Sequence, residues 1–351
     1  MKSILDIDKN FRQQTYIEKN DAVFFDVKKN MQYVHGLILD NGFRRMPEKI
    51  AKKISEGVYG LNYHTSGGRI CFATDSEYII LSCKLSGITP FPHIPLTGQS
   101  SFDVYADGIF HTCIRPENAQ MTEYTGICQF EDRKMRNITI NFPLYNDVED
   151  IHVGLQLDAI IEENTDIDCK KPVVFYGSSI TQGGCASRPG LCYTSIVCRK
   201  LHCDYINLGF SGNAKGEPVM AEYIASLDMS VFVMDYDHNA PTPEQLEETH
   251  EKFFEIIRKA NPELPVVFIT KPDFKFSPEY GAKRREIIYK TYTNAIAKGD
   301  KKVWFIDGEK LWGDTDWDCC TMDRCHPNDL GFMRMAEAVL PTLEEALKKS
   351  L

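Results

Sequence analysis

The chain has 351 residues, more than one ordinary hydrophobic core supports, so two domains are expected. Its 43% hydrophobic and 26% charged residues suit a soluble globular protein, and a formal net charge of −10 leaves no basic surplus for a phosphate backbone, which excludes nucleic acid as a partner. No apolar run nears the ~20 residues that span a bilayer, and the opening MKSILDIDKNFRQQ holds no signal-peptide core, so no membrane partner and a cytoplasmic location are expected.

From about residue 20 to 165 the signals are short strands and turns. Phe24 to Val27, Val58 to Tyr63, Arg69 to Phe72, Tyr78 to Lys84, Phe102 to Ala106, Gly108 to Cys113, Asn137 to Phe142 and Ile151 to Leu157 are brief. They are rich in β-branched or aromatic residues, and Gly, Pro, Asp or Ser bound most of them. Ala106-Asp107-Gly108 reads as a hairpin turn, since Asp-Gly supplies positive φ. Only Pro47 to Glu56 reads as a helix. Together these predict an all-β, jelly-roll-like sandwich over residues 1–165. His64, His93 and His111 stand isolated in it and read as structural or solvated. The domain's role stays open between support, homo-oligomer formation and shaping of a cleft.

Glu162 to Lys171 is polar and reads as a linker, after which strands and helices alternate. Strands are predicted at Val173 to Tyr176, Tyr205 to Leu208, Val231 to Met234, Val266 to Thr270 and Val303 to Ile306. Helices fall at Tyr193 to Leu201, Glu217 to Ser226, Pro243 to Ala260, Tyr280 to Lys298 and Asn328 to Lys349. Thr242-Pro243-Glu244-Gln245 gives the third helix a capping threonine and a proline at its first position. Such alternation implies a mostly parallel sheet covered on both faces, here over residues 171–351.

Twelve cysteines are many, but no C-x-x-C pair occurs and no export signal is seen, so reduced and mostly buried thiols are expected. Cys319, Cys320, Cys325 and His326 cluster in sequence. Adjacent cysteines cannot easily both face one ion, so no metal is expected. The Asn137-Ile138-Thr139 sequon matters only in an exported chain.

The chain is organised around VVFYGSSITQGG, Val173 to Gly184. A buried strand runs into a tight turn and a helix start, which lifts Ser179 to the C-terminal edge of the sheet, where open α/β folds place ligands. A hydroxyl there can attack an acyl carbon. Three more stretches fall at the same edge. Gly212 follows the second strand, Asp235 to Ala240 (DYDHNA) follows the third and offers the Asn239 amide, and Asp323-Arg324-Cys325-His326-Pro327 precedes the last helix. An Asp three residues before a His can fold back onto the imidazole. Each stretch alone also suits a plain turn or helix cap; four in this order at one sheet edge favour a site.

These residues resemble the four blocks of the SGNH hydrolases, the GDSL esterase/lipase family. The resemblance implies an α/β/α, flavodoxin-like catalytic domain that needs no cofactor. Gly177-Ser178-Ser179 resembles the Gly-Asp-Ser block and makes Ser179 the nucleophile, with Ser178 in place of the usual Asp. Gly212 and Asn239 resemble the oxyanion-hole glycine and asparagine, joined by the N–H of Ser179 itself, although DYDHN departs from the family's Gly-x-Asn-Asp. Asp323 to Pro327 matches the last block unchanged and makes His326 the base and Asp323 its partner. Arg188, Asp237 and His238 are candidate substrate contacts. SFDVY-ADG (Ser101 to Gly108), Gly67 to Ser76 and Phe142 to Val148 resemble the GxDLY β-sandwich module that precedes some SGNH domains, with Ser101 in place of its glycine.

The expected activity is hydrolysis of short acyl, chiefly acetyl, esters on carbohydrates through an acyl-enzyme, with a small-molecule or oligosaccharide ester as substrate. No apolar run suggests a lipase lid. The alternatives are an acyltransferase using the same triad and a non-catalytic carbohydrate-binding protein.

Overall fold

The computed structural model describes residue 19 and residues 21–350, so the stretch read for an export signal lies outside the described residues. The first domain is a sandwich of two antiparallel sheets. One sheet orders Ala22–Asp26, Val148–Gln156, Tyr78–Leu85 and Glu123–Gln129; the other orders Ile161–Glu162, Arg69–Thr74, Arg136–Asn141, Phe102–Ala106 and Ile109–Ile114, with Val34–His35 added beside Arg69–Thr74. Inward residues of both sheets, among them Phe72, Leu81, Val104, Ile140 and Val153, make its core. Asp107 and Gly108 both take positive φ, 51° and 74°, as the hairpin reading requires.

Two differences from the sequence reading have physical causes. Val58 to Tyr63 is not a strand: Glu48–Ile54 and Glu56–Leu61 are consecutive helices. Ser55 caps the second by accepting the Val58 N–H at 3.1 Å, and Ala51 and Val58 are buried against the core of the other domain, with Phe210 and Ile224. Burial on one helical face outweighs the strand propensity of Val58 and Tyr59. Glu123–Gln129 is a further strand, with little signal in the sequence because Gly126 interrupts its alternation.

The segment read as a linker is held in place. Asn164 donates its amide to the Ile138 carbonyl at 3.1 Å, and the Asn137 amide of the sequon donates to Thr165 and Asp166.

The second domain is built on five parallel strands in the order Cys203–Gly209, Cys169–Gly177, Val231–Asp235, Val266–Ile269 and Val303–Ile306. The strand read from Val173 lies second, with its successors on either side, so chain direction switches at its C-terminal end, where such sheets bind ligands. Val173 and Phe175 face the helices Tyr193–Lys200 and Asp329–Lys348, through Ile196, Phe332 and Val339. Val174 and Tyr176 face the helices Pro218–Ala225, Pro243–Ala260 and Pro278–Ala297, through Ile224, Phe253 and Ile288. Burial on both faces is why the strand reads as an unbroken apolar run. Thr242 caps the long helix by accepting the Gln245 N–H at 3.2 Å.

Candidate active site

The strand Cys169–Gly177 ends on a residue that must be glycine. A Cβ on Gly177 would lie 2.0 Å from Thr181 Oγ1 and 2.5 Å from the Asp235 carbonyl. Ser178 then caps a single helical turn, Ser179–Gln182, by accepting the Ile180 N–H at 3.1 Å. The turn sets Ser179 at the sheet edge, 6% exposed.

The last helix supplies the other side. Thr321 Oγ1 and the Met322 N–H both donate to the His326 carbonyl, at 2.8 and 2.9 Å, and Asn328 caps the helix by accepting the Gly331 N–H. This holds a turn in which Arg324 takes φ 70° and the chain reverses between Asp323 and His326. Ser179 Oγ lies 2.8 Å from His326 Nε2, and His326 Nδ1 lies 2.7 Å from Asp323 Oδ2. Asp323 Oδ1 also accepts the backbone N–H groups of His326 and Cys325, at 2.7 and 3.1 Å. Burial pushes the Asp323 carboxyl up, but these hydrogen bonds outweigh it and hold it below its ordinary range. The acceptor at Nδ1 selects the imidazole tautomer whose Nε2 lone pair faces Ser179.

Gly212 takes φ 69° at an exposed bend. Its neighbours' N–H groups are engaged, that of Ser211 by Gln182 Oε1 and that of Asn213 by the Phe210 carbonyl. Asn239 Oδ1 accepts the Ala214 N–H at 3.4 Å, which turns the Nδ2 donor away from that contact. A carbonyl oxygen developing negative charge can use such donors, fixed before it arrives.

Of the candidate substrate contacts, Arg188 and Asp237 are engaged with other parts of the protein, and His238 lies beside Cys325, next to His326. Arg188 is committed to the domain junction, with Nη1 2.8 Å from Asp103 Oδ2, a hydrogen bond to the Tyr105 hydroxyl, and its guanidinium 3.8 Å from the Phe110 ring centre. Asp237 is 1% exposed, accepts the Lys271 N–H at 3.2 Å, and has its carboxyl pushed up to about 6 by burial. No substrate reaches it in this arrangement. His238 Nε2 sits 3.1 Å from Cys325 Sγ, and burial lowers its imidazole to about 4.

The cysteines with described side chains are free and mostly buried. Cys319 is exposed while Cys320 Sγ turns to the Trp312 carbonyl, so these two do not join Cys325 and His326 in one donor set. His93, Cys185 and His326 do bring donor atoms within 4.8 Å of one another, although both ring nitrogens of His326 are engaged by Ser179 and Asp323.

The sandwich domain reaches the same site through His64 and His93, which read as isolated, and through Leu144 and Tyr145 of the Phe142 to Val148 stretch. Tyr145 donates its hydroxyl to the Ser179 carbonyl at 3.2 Å; Gln182 donates to the Leu144 carbonyl and meets His64 Nδ1, each at 3.1 Å. The ring of His93 lies 5.4 Å from that of His326. No spacing in the sequence signals these contacts, because domain packing alone makes them.

Comparison with known proteins gives the family and the fold. Residues 170–344 match the GDSL-like lipase/acylhydrolase family, and residues 22–161 match the N-terminus of SGNH-hydrolase-type esterases named for GxDLY. The chain belongs to the SGNH (GDSL-type) hydrolases. No curated protein matches the sequence significantly. Among solved structures, a protein of Bacteroides ovatus described as a GDSL-like lipase is 27% identical, with TM-score 0.82 over 93% of this chain and 98% of its own. The salicylyl-acyltransferase SsfX3 of a tetracycline biosynthetic pathway is 20% identical, with TM-score 0.75 over 92% and 96%. An acetyl xylan esterase of Butyrivibrio proteoclasticus is 14% identical, with TM-score 0.55 over 93% and 99%. The last two share the fold. Among the described residues, no helix of this SGNH hydrolase is long and apolar enough to cross a membrane.

Proposed function

We propose that this SGNH hydrolase is a serine esterase that removes short acyl groups, chiefly acetyl, from carbohydrates. One observation carries the reading: the unbroken hydrogen-bonded chain from Ser179 Oγ through His326 to Asp323, at 2.8 and 2.7 Å. His326 Nε2 takes the Ser179 proton as Oγ attacks the ester carbonyl carbon. The N–H groups of Ser179 and Gly212 and the Asn239 amide stabilise the oxyanion, at ~3 kcal/mol for each donor. His326 then protonates the departing alcohol oxygen, and the acyl group stays on Ser179. Water, deprotonated by the same imidazole, attacks the acyl-enzyme and releases the acid. Asp323 keeps the imidazole oriented and offsets its transient positive charge. The acetyl xylan esterase of the same fold supports an acetylated sugar as substrate.

Transfer to an acceptor hydroxyl is the second reading, supported by the likeness to the salicylyl-acyltransferase. It uses the same residues and differs only in what attacks the acyl-enzyme.

Intact-mass labelling with a fluorophosphonate tests the nucleophile. One adduct on the wild type and none on Ser179→Ala is expected, followed by acetate release from acetylated sugars. A folded wild type that stays unlabelled defeats the triad and leaves the carbohydrate-binding reading. Acyl transfer to an added alcohol in preference to water selects the transferase.

A further inference from the structure

A pocket of about 330 Å³ opens in the sandwich domain beside the site, at the lower end of the size range of small-ligand sites. Tyr63, His64, Phe91, Gln99, Tyr145 and Asp147 line it. Phe91 is 36% exposed and packs edge-on against Tyr145, with ring centres 5.7 Å apart.

Two contacts tie the pocket to the triad. Tyr145 donates to the Ser179 carbonyl, so one aromatic ring separates the pocket from the nucleophile turn. Phe91 also packs against His93, whose ring neighbours His326.

Gln99 is 2% exposed, and its Nε2 donates to the Thr89 carbonyl at 2.7 Å, which fixes the amide's orientation. Its Oε1 has no hydrogen-bond partner among the described residues. An unpaired buried acceptor costs stability unless a ligand hydroxyl satisfies it. Asp147 adds a half-buried carboxylate, 3.4 Å from Arg44 Nη1.

Aromatic faces beside hydroxyl-accepting oxygens are the chemistry that grips a pyranose. Its C–H face stacks on the rings, and its hydroxyls donate to the oxygens. An apolar acyl chain would leave the Gln99 oxygen unpaired.

We propose that this pocket binds a sugar ring of the ester substrate, so that the sandwich domain selects the alcohol half while the hydrolase domain cleaves the bond. The proposal rests on the esterase reading above. Its test uses the full chain with acetylated xylobiose as probe, in steady-state kinetics and in calorimetric binding to Ser179→Ala. Phe91→Ala and, separately, Gln99→Leu are each expected to raise KM about tenfold, with the loss in kcat/KM lying mainly in KM, and to weaken binding to the Ser179→Ala protein by a similar factor. Thermal melting of each variant identifies one that fails to fold, and the other then decides. Unchanged KM and binding in the folded variants overturn the proposal. An equal loss on p-nitrophenyl butyrate, which carries no sugar, overturns it in favour of an acyl-chain pocket. Because binding is read on a protein without its nucleophile, a failed sugar subsite leaves the esterase reading standing. Intact binding without labelling of Ser179 sinks only the esterase.

Discussion

Asp323, in the turn before the last helix, and Asp103, at the junction between the domains, both face a nitrogen partner at hydrogen-bond distance. Their surroundings give opposite outcomes. The Asp323 side chain is 36% exposed, and hydrogen bonds from His326 and Cys325 outweigh desolvation and hold its carboxyl below the ordinary range. Asp103 is fully buried, and desolvation raises its carboxyl despite Arg188 at 2.8 Å, the Asn141 amide and the Gly190 N–H. A partly wet carboxylate can meet a positive charge that comes and goes on an imidazole. A dry one suits a permanent partner, here a cation that clamps the loop after the nucleophile onto the sandwich.

Exchanging each carboxylate for its amide separates the two roles. Asp323→Asn should give the larger effect, a loss of about 10⁴ in kcat with little change in melting temperature, because the amide can impose the wrong imidazole tautomer. Steady-state kinetics beside a melting curve measures both. A variant that melts early instead would make Asp323 a structural clamp like Asp103. Asn239→Ala should cost about 10²–10³ in kcat with KM nearly unchanged, as for one oxyanion donor. A fall confined to KM would move Asn239 from the oxyanion to ground-state binding.

Asp103→Asn should act on the fold. Removing one charge of a buried pair leaves Arg188 uncompensated, at a cost of about 3 kcal/mol in unfolding free energy, with kcat changed far less than in Asp323→Asn. Denaturant unfolding measures it, provided the two domains unfold together. If kcat falls as far as in Asp323→Asn while stability holds, the junction is part of the catalytic machinery and the contrast between the two carboxylates breaks.

The meeting of Ser179, His326 and Asp323 was legible in the sequence, and the junction was not, for a physical reason. A doubly wound sheet gathers every strand's C-terminal end at one edge. Short local patterns such as Gly177-Ser178-Ser179 and Asp323 to Pro327 therefore meet whatever their separation, and each carries its own mark. His64, His93 and Tyr145 reach Gln182, His326 and Ser179 only because the sandwich docks against that edge; a lone histidine in a strand-rich domain has no mark to carry, and the stretch that holds Tyr145 resembles a sandwich module without naming its contact. Arg188 shows both sides. Its place in the loop after Ser179 was readable, but its partner, Asp103, lies in the other domain. Val58 failed differently: its strand propensity was read correctly, then overridden by a helical face that the second domain buries.

A third carboxylate sharpens the comparison through its dependence on pH. Asp235 ends the strand beside Gly177, and its Oδ2 accepts from Thr181 Oγ1 at 2.8 Å and Tyr193 Oη at 2.7 Å, so it braces the turn that carries Ser179. Among the described residues no cation offsets its burial, and its carboxyl is pushed up to about 7. The unfolded chain titrates this group near 4. Between about pH 4 and 7 the folded state therefore holds a proton that the unfolded state has lost, and the stability contributed by Asp235 falls as pH rises through that window. Asp235→Asn keeps an acceptor oxygen and removes the titration. The stability advantage of the wild type over this variant should be greatest near pH 4 and shrink by up to about 4 kcal/mol on approach to pH 7, in paired denaturant titrations. A difference independent of pH would mean that Asp235 stays ionised in the fold, with its two hydroxyl donors enough to hold a dry carboxylate charged. It would then belong with Asp323 rather than Asp103.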